Sequence, residues 1–218
     1  MFRQLGLAMF FGVCSGPVFA HPHIFIETTI EVLYDAAGRA EALRIGWTYD
    51  ELYSLTYLAE NGFDPDFDEV LTDEETARLS GFDMGWDADF PGDTYALLGG
   101  EPVGLSRPEA PTAVYAGGKL TSTHLRRLST PIAPGSGDLV VQVYDPSFYT
   151  AYTIAGTPVL TDAPAGCSVQ VFEPDRAAAD ARLLAAMEEL SGSADSEAEF
   201  PAIGDAYAEE ARITCPAS

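Results

Sequence analysis

Positive charge is scarce in this chain: 11 Lys and Arg stand against 34 Asp and Glu, a formal net charge of −23. A surface of that sign repels nucleic acid and anionic lipid and attracts cations. It argues against a nucleic-acid partner, but an ordinary solvated acidic surface gives the same composition, so charge alone assigns no function. Long hydrophobic runs are missing too. The longest apolar stretch, from Leu5 to Val13, has roughly ten residues, against the roughly twenty needed to span a bilayer, so no membrane-embedded segment is expected after processing. Histidine occurs three times and cysteine three times. There is no CxxC pair, no Gly-rich phosphate loop and no recognisable Ser, Cys or His arrangement for nucleophilic catalysis. Carboxylates are too numerous to single out a catalytic pair. The expectation is a protein that is not an enzyme.

The first twenty residues, MFRQLGLAMFFGVCSGPVFA, have the three parts of a secretory signal. Arg3 precedes the apolar stretch, Gly16 and Pro17 break it, and Val18 and Ala20 occupy the positions a signal peptidase reads. Cleavage after Ala20 predicts an exported, periplasmic protein of about 198 residues whose first residue is His21. That length suits a single domain, residues 21–218. Cys14 leaves with the leader, which leaves Cys167 and Cys215, an even pair in an oxidising compartment. A disulfide is expected. Metal–thiolate ligation is the rival reading, with no cysteine spacing to favour it.

The mature chain opens on HIFIETTIEVLYD, in which apolar and polar residues alternate. Ile24, Ile26, Thr28 and Ile30 share one face, and Phe25, Glu27 and Thr29 the other. With the turn AAGR and the return AEALRIGWTYD, residues 22–48 predict a β-hairpin. The period then changes: Leu52, Leu55, Tyr57 and Leu58 are at helical spacing after Asp50, and Thr72 with Glu75 forms the capping box of a second helix. From Thr94 onward short β-patterned pieces alternate with Gly and Pro. PDRAAADARLLAAMEELSG reads as an amphipathic helix with Leu183, Leu184, Met187 and Leu190 on one face, followed by a polar linker and a short tail. The fold class expected is α+β: an antiparallel β-sandwich-like core, a helix–loop–helix insertion at about 50–90, and a C-terminal helix.

Between the two inserted helices lies DPDFDEVLTDEE. Asp64, Asp66 and Asp68 take positions one, three and five of a calcium loop, Leu71 the apolar eighth, and Glu75 the twelfth, where a bidentate carboxylate closes such a site. Glu69 replaces the glycine of position six, where positive φ would cost about 1 kcal/mol or more, and Pro65 stiffens the first turn. Calcium ligation, a relic of a calcium loop and a plain solvated acidic loop all remain open.

His21, once N-terminal, offers an α-amine and a ring nitrogen to one metal ion. His23, on the same face of an extended chain, or His124 would add a third nitrogen. Such a set suits zinc, nickel or copper. Pro22 removes the backbone amide needed by the amino-terminal copper/nickel motif, so only amine and imidazole donors are available. An exposed, flexible HPH terminus and a satisfied or half-exposed strand histidine at position 124 are the plain alternatives. YDPSFYTAY (Tyr144–Tyr152) is read as packing around a turn at Asp145–Pro146.

Taken in order, HPHIFI after the leader, IGWTYDELYS, DPDFDEVLTDEE, YDPSFYTAY and the cysteines of GCSVQV and ITCP resemble a family of exported bacterial proteins known as domain of unknown function 1007. Its members are often described as the periplasmic component of an ABC-type transport system, and their genes commonly neighbour permeases of the nickel/cobalt type. The resemblance covers residues 21–216. It implies a periplasmic helper in transition-metal transport, with zinc or nickel as cargo and a membrane metal permease of nickel/cobalt type as partner. A non-metal β-sandwich module that binds another envelope protein is the second expectation. Glu69 in the loop and the lack of a histidine-rich stretch depart from many relatives.

Overall fold

The computed structural model describes residues 22–190 and 201–217. The predicted hairpin forms: β1 (Ile24–Tyr34) and β2 (Ala40–Tyr49) pair antiparallel from Ile26↔Tyr49 to Tyr34↔Ala40. Its turn is closed by Asp35, whose carboxylate accepts from the Ala37 and Arg39 amides and from the Arg39 side chain. Alternation works as the sequence implies. Ile26, Thr28, Ile30, Val32 and Tyr34 are buried, while Phe25 and Thr29 face out.

The remaining strands are β3 (Thr94–Leu98), β4 (Glu101–Val103), β5 (Glu109–Ala116), β6 (Lys119–Ile132), β7 (Leu139–Val143), β8 (Thr150–Ile154), β9 (Val159–Thr161), β10 (Ser168–Phe172) and β11 (Glu210–Thr214). One sheet runs β5-β6-β2-β1-β8, with β9 also on β1; the other runs β10-β11-β7-β3-β4. One hydrophobic core draws on both, with Ile30, Leu43 and Ile45 from the first and Val141, Ala211 and Ile213 from the second. The expected α+β class and two-sheet core are therefore present. Pairing is not wholly antiparallel, because β8 and β9 run parallel to β1.

The C-terminal tail is a further difference. EARIT, read as part of a short tail, is β11, an inner strand held between β10 and β7. Ala211 and Ile213, two residues apart, supply its core face. Cys167 and Cys215 form a disulfide with Cα atoms 4.2 Å apart. They stand one step beyond the Ser168↔Thr214 pair, so the bond extends the β10–β11 ladder.

Between β2 and β3 lie α1 (Glu51–Glu60) and α2 (Asp73–Leu79). Asp50 caps α1, its side chain accepting from the Tyr53 amide, and Thr72 and Glu75 form the expected capping box of α2. The buried face of α1 differs from the expected one. Ser54 and Leu58 pack inward with Tyr53 and Tyr57 beside them, whereas Leu52 and Leu55 are exposed. The reason is an anchor: the Ser54 hydroxyl accepts from the buried Leu120 amide of β6, which fixes the helix rotation. In α3 (Arg176–Leu190), Ala179 and Leu183 are buried while Leu184 and Met187, expected on the same face as Leu183, are exposed; the side chain of Leu190, the fourth residue of that expected stripe, lies outside the described residues. Among the described residues no helix is long and apolar enough to cross a membrane.

Candidate functional site

His21 lies outside the described residues. His23 stands immediately before β1; its amide donates to the Tyr149 carbonyl at 2.8 Å, and its ring lies 4.7 Å from the Tyr149 ring. The histidine that follows the expected cleavage site is thus fastened to the residue preceding β8, within the YDPSFYTAY segment. Tyr149 acts as a shelf for His23 in addition to the turn packing expected of that segment. The Asp145 carboxylate organises the turn, accepting from the Ser147 amide and hydroxyl and from the Thr150 amide.

His124 is elsewhere. It pairs with Ile45, and Ile45 with Ile30, so it lies roughly 24 Å along the strands and roughly 10 Å across them from His23. Two imidazoles that far apart cannot meet at one ion, where each nitrogen must approach to about 2.1 Å. The expectation that His124 closes a site begun by His23 is corrected accordingly. Nor is His124 half-exposed: it is fully buried, packed edge-on to Trp47 at 4.8 Å and Trp86 at 5.3 Å. Burial, and then the charge of Arg126, push its pKa down to about 3, so the ring is neutral.

This placement follows from β6 itself. Leu120, Ser122, His124, Arg126 and Leu128 alternate onto the inner face, and two leucines bracketing three polar residues at period two already signal that the face points inward. Opposite them lies the irregular segment 82–93. Asp83 accepts from Tyr49 OH at 2.8 Å and from Ser122 Oγ at 2.5 Å. Burial raises its pKa. Trp86 covers His124, and the Arg126 guanidinium carbon lies 5.0 Å from the Trp86 ring centre. Arg126 donates to the Ser106 and Pro91 carbonyls. Gly92, at φ +76°, has to be glycine: a Cβ there would fall 2.3 Å from the Trp86 ring. Several polar atoms here have no hydrogen-bond partner among the described residues, among them both His124 ring nitrogens, Trp47 Nε1, Thr28 Oγ1 and Asp83 Oδ1. Each such atom costs about 1–3 kcal/mol when desolvated.

The acidic loop brings together three of the four carboxylates expected of a calcium loop. Carboxylate oxygens of Asp64, Asp66 and Asp68 lie within 4.8 Å of one another, Asp64 buried and the other two exposed. Asp64 accepts from the Asp68 and Glu69 amides at 3.1 and 3.2 Å, which curls the loop around it. Glu69 adopts φ +63°, the strained conformation anticipated where glycine is absent. Glu75 does not join the triad. Its carboxylate accepts from the Thr72 amide and hydroxyl and from the Asp64 amide, so it serves as capping residue and loop latch. Those three bonds hold its pKa below the usual carboxylate value. Three carboxylates suit a hard cation better than a soft one.

Residues 6–215 match one protein family. No curated protein matches the chain. The chain belongs to the family described as Protein of unknown function (DUF1007).

Proposed function

We propose that the protein is a non-enzymatic periplasmic accessory factor that binds a transition metal, zinc or nickel first among them, and assists a membrane permease of the nickel/cobalt type. The observation that carries this reading is the fastening of His23 to Tyr149 through backbone and ring. A cut after Ala20 then presents the His21 amine, the His21 ring and the His23 ring from the anchored end of β1. Those nitrogen donors match zinc, nickel or copper, with an open position for a ligand from the permease. The leader sequence and the Cys167–Cys215 disulfide fit an oxidising compartment.

Calorimetric titration of the processed protein with zinc and nickel tests the reading, beside a form carrying one extra glycine before His21. Stoichiometric binding that weakens at least about ten-fold when the amine is displaced supports the chelate. Absence of stoichiometric binding, together with co-purification of an envelope protein, favours the metal-free interaction module instead.

A second cation reading is favoured by the convergence of Asp64, Asp66 and Asp68. The loop would take calcium through these carboxylates, loop carbonyls and water, with Glu75 acting from behind as latch. Calcium would stabilise the helix pair, independently of transition-metal handling at the terminus.

A further inference from the structure

α1 breaks a local rule. Its polar Ser54 is turned to the core, where it holds the Leu120 amide, while Leu52 and Leu55 stand 75% and 53% exposed. Leaving two leucines in water while a hydroxyl takes the buried face weakens the fold relative to the reverse arrangement. Such departures collect at functional surfaces. The two leucines are three residues apart, on one face of the helix.

They are not isolated. The Phe25 amide donates to the Asp50 carboxylate and the Asp50 amide to the Phe25 carbonyl, each at 3.0 Å, which sets Phe25 against the residue that caps α1. Phe25 is 55% exposed, on the face of β1 opposite buried Ile26. On its other side Phe25 pairs with Ala151 of β8; two residues earlier stands Tyr149, 46% exposed, whose carbonyl receives the His23 amide. One end of the molecule therefore carries Leu52, Leu55, Phe25 and Tyr149 in a series joined through backbone bonds. Large apolar and aromatic side chains grouped in water mark a contact with a protein or a membrane.

The surrounding charge decides between these two. Between Arg44 and Arg78 the chain has ten Asp and Glu and no Lys or Arg. Asp50 and Glu51 belong to that run and directly precede Leu52. Glu27, on the same face of β1 as Phe25, adds another acid, and Lys119 already stands 3.8 Å from it. Charge of this sign repels an anionic lipid surface and attracts a cationic partner.

We infer that this end of the molecule is a docking surface for a basic amphipathic segment of a partner protein. The apolar side chains of that segment cover Leu52, Leu55 and Phe25, and its lysines or arginines face Glu27, Asp50 and Glu51. The surface lies beside His23 but uses no metal, so it stands or falls apart from the terminal chelate.

The probe is a synthetic amphipathic peptide of leucine and lysine, about four helical turns long. A counterpart with glutamate in place of lysine, and phosphatidylcholine vesicles, are the other arms. Titration of the full mature protein in about 0.15 M salt with EDTA, followed by NMR, should show saturable binding of the lysine peptide at about 10 μM. Amide shifts should concentrate at Phe25, Leu52 and Leu55. The glutamate peptide and the vesicles should not bind. Leu52→Gln/Leu55→Gln leaves the charge and the Ser54 anchor unchanged, and should weaken the lysine peptide at least about ten-fold. Val159→Ser, at an exposed apolar residue that pairs with Glu31 further along β1, should not weaken it. No saturable binding below about 1 mM, shifts centred elsewhere, equal affinity for the leucine variant, or binding of the glutamate peptide or the vesicles would overturn the proposal.

Discussion

The hydroxyl of Tyr152 donates to the carboxylate of Asp93 at 2.8 Å, joining β8 of one sheet to the start of β3 in the other. Asp93 is buried, at φ +46°, and its second oxygen has no partner among the described residues. Burial raises its pKa to about 7, the Tyr152 bond opposes that rise, and the nearby Asp145 charge adds to it. A carboxylate that holds its proton more tightly when folded favours the folded state at low pH. That advantage is full below about pH 4 and is lost as pH rises toward 7, reaching about 4 kcal/mol at most. Asp93→Asn, which keeps the size and removes the titration, should therefore melt at a higher temperature than the parent at pH 8 and show a flatter profile between pH 5 and 8. Thermal melts by circular dichroism at several pH values decide this; an unchanged slope contradicts the assignment.

His124 acts with the opposite sign. Its pKa is lowered to about 3 in the fold, so its contribution is present above the ordinary value near 6.5 and is lost as pH falls from there toward 3. The imidazole should show no protonation shift in NMR between pH 7 and pH 5. A ring that titrates near pH 6 would mean that it is not enclosed by Trp47 and Trp86. These are the only two tryptophans in the chain, so intrinsic fluorescence reports on the same pocket. His124→Gln should alter that emission while leaving terminal metal binding unchanged.

The hairpin, the capping box and the paired cysteines were legible because each rests on neighbours in sequence: alternation in HIFIETTIEV, Thr72 three residues before Glu75, and an even cysteine pair. What escaped notice depends on partners far away. β11 reads as a tail because a five-residue strand between Glu210 and Thr214 is recognisable only once β7 and β10 flank it. The rotation of α1 is set by Ser54 meeting Leu120, 66 residues on. His124 looked available because one histidine carries no mark of burial; Leu120 and Leu128 on its face were the missed signal. Asp83 and Asp93 were hidden among many acids, and only burial singles them out.

Closing a loop of 48 residues, the Cys167–Cys215 bond should contribute about 4 kcal/mol in the chain-entropy account. The double Ala variant is expected to unfold at a lower denaturant midpoint with that order of loss, and the parent should show the same change on reduction. A midpoint unaffected by reduction would show that the β10–β11 ladder holds without it.

If the acidic loop takes calcium, Asp64→Asn should weaken it most, since Asp64 both faces the triad and accepts the Asp68 and Glu69 amides. Calorimetry is expected to show at least about a ten-fold loss for Asp64→Asn, and a smaller loss for the exposed Asp66→Asn. Binding that is indifferent to both substitutions removes the loop as a cation site.

The central claim is that export creates a metal chelate from His21 and His23. Its most direct measurement is a zinc and nickel titration of the mature chain, its N-terminus verified by mass spectrometry, beside the His21→Ala/His23→Ala variant and a separate His124→Gln variant. The account predicts one equivalent bound by the parent and by His124→Gln, and none above background by the double variant. Retention of full affinity by the double variant, or a mature chain that does not begin at His21, would contradict it.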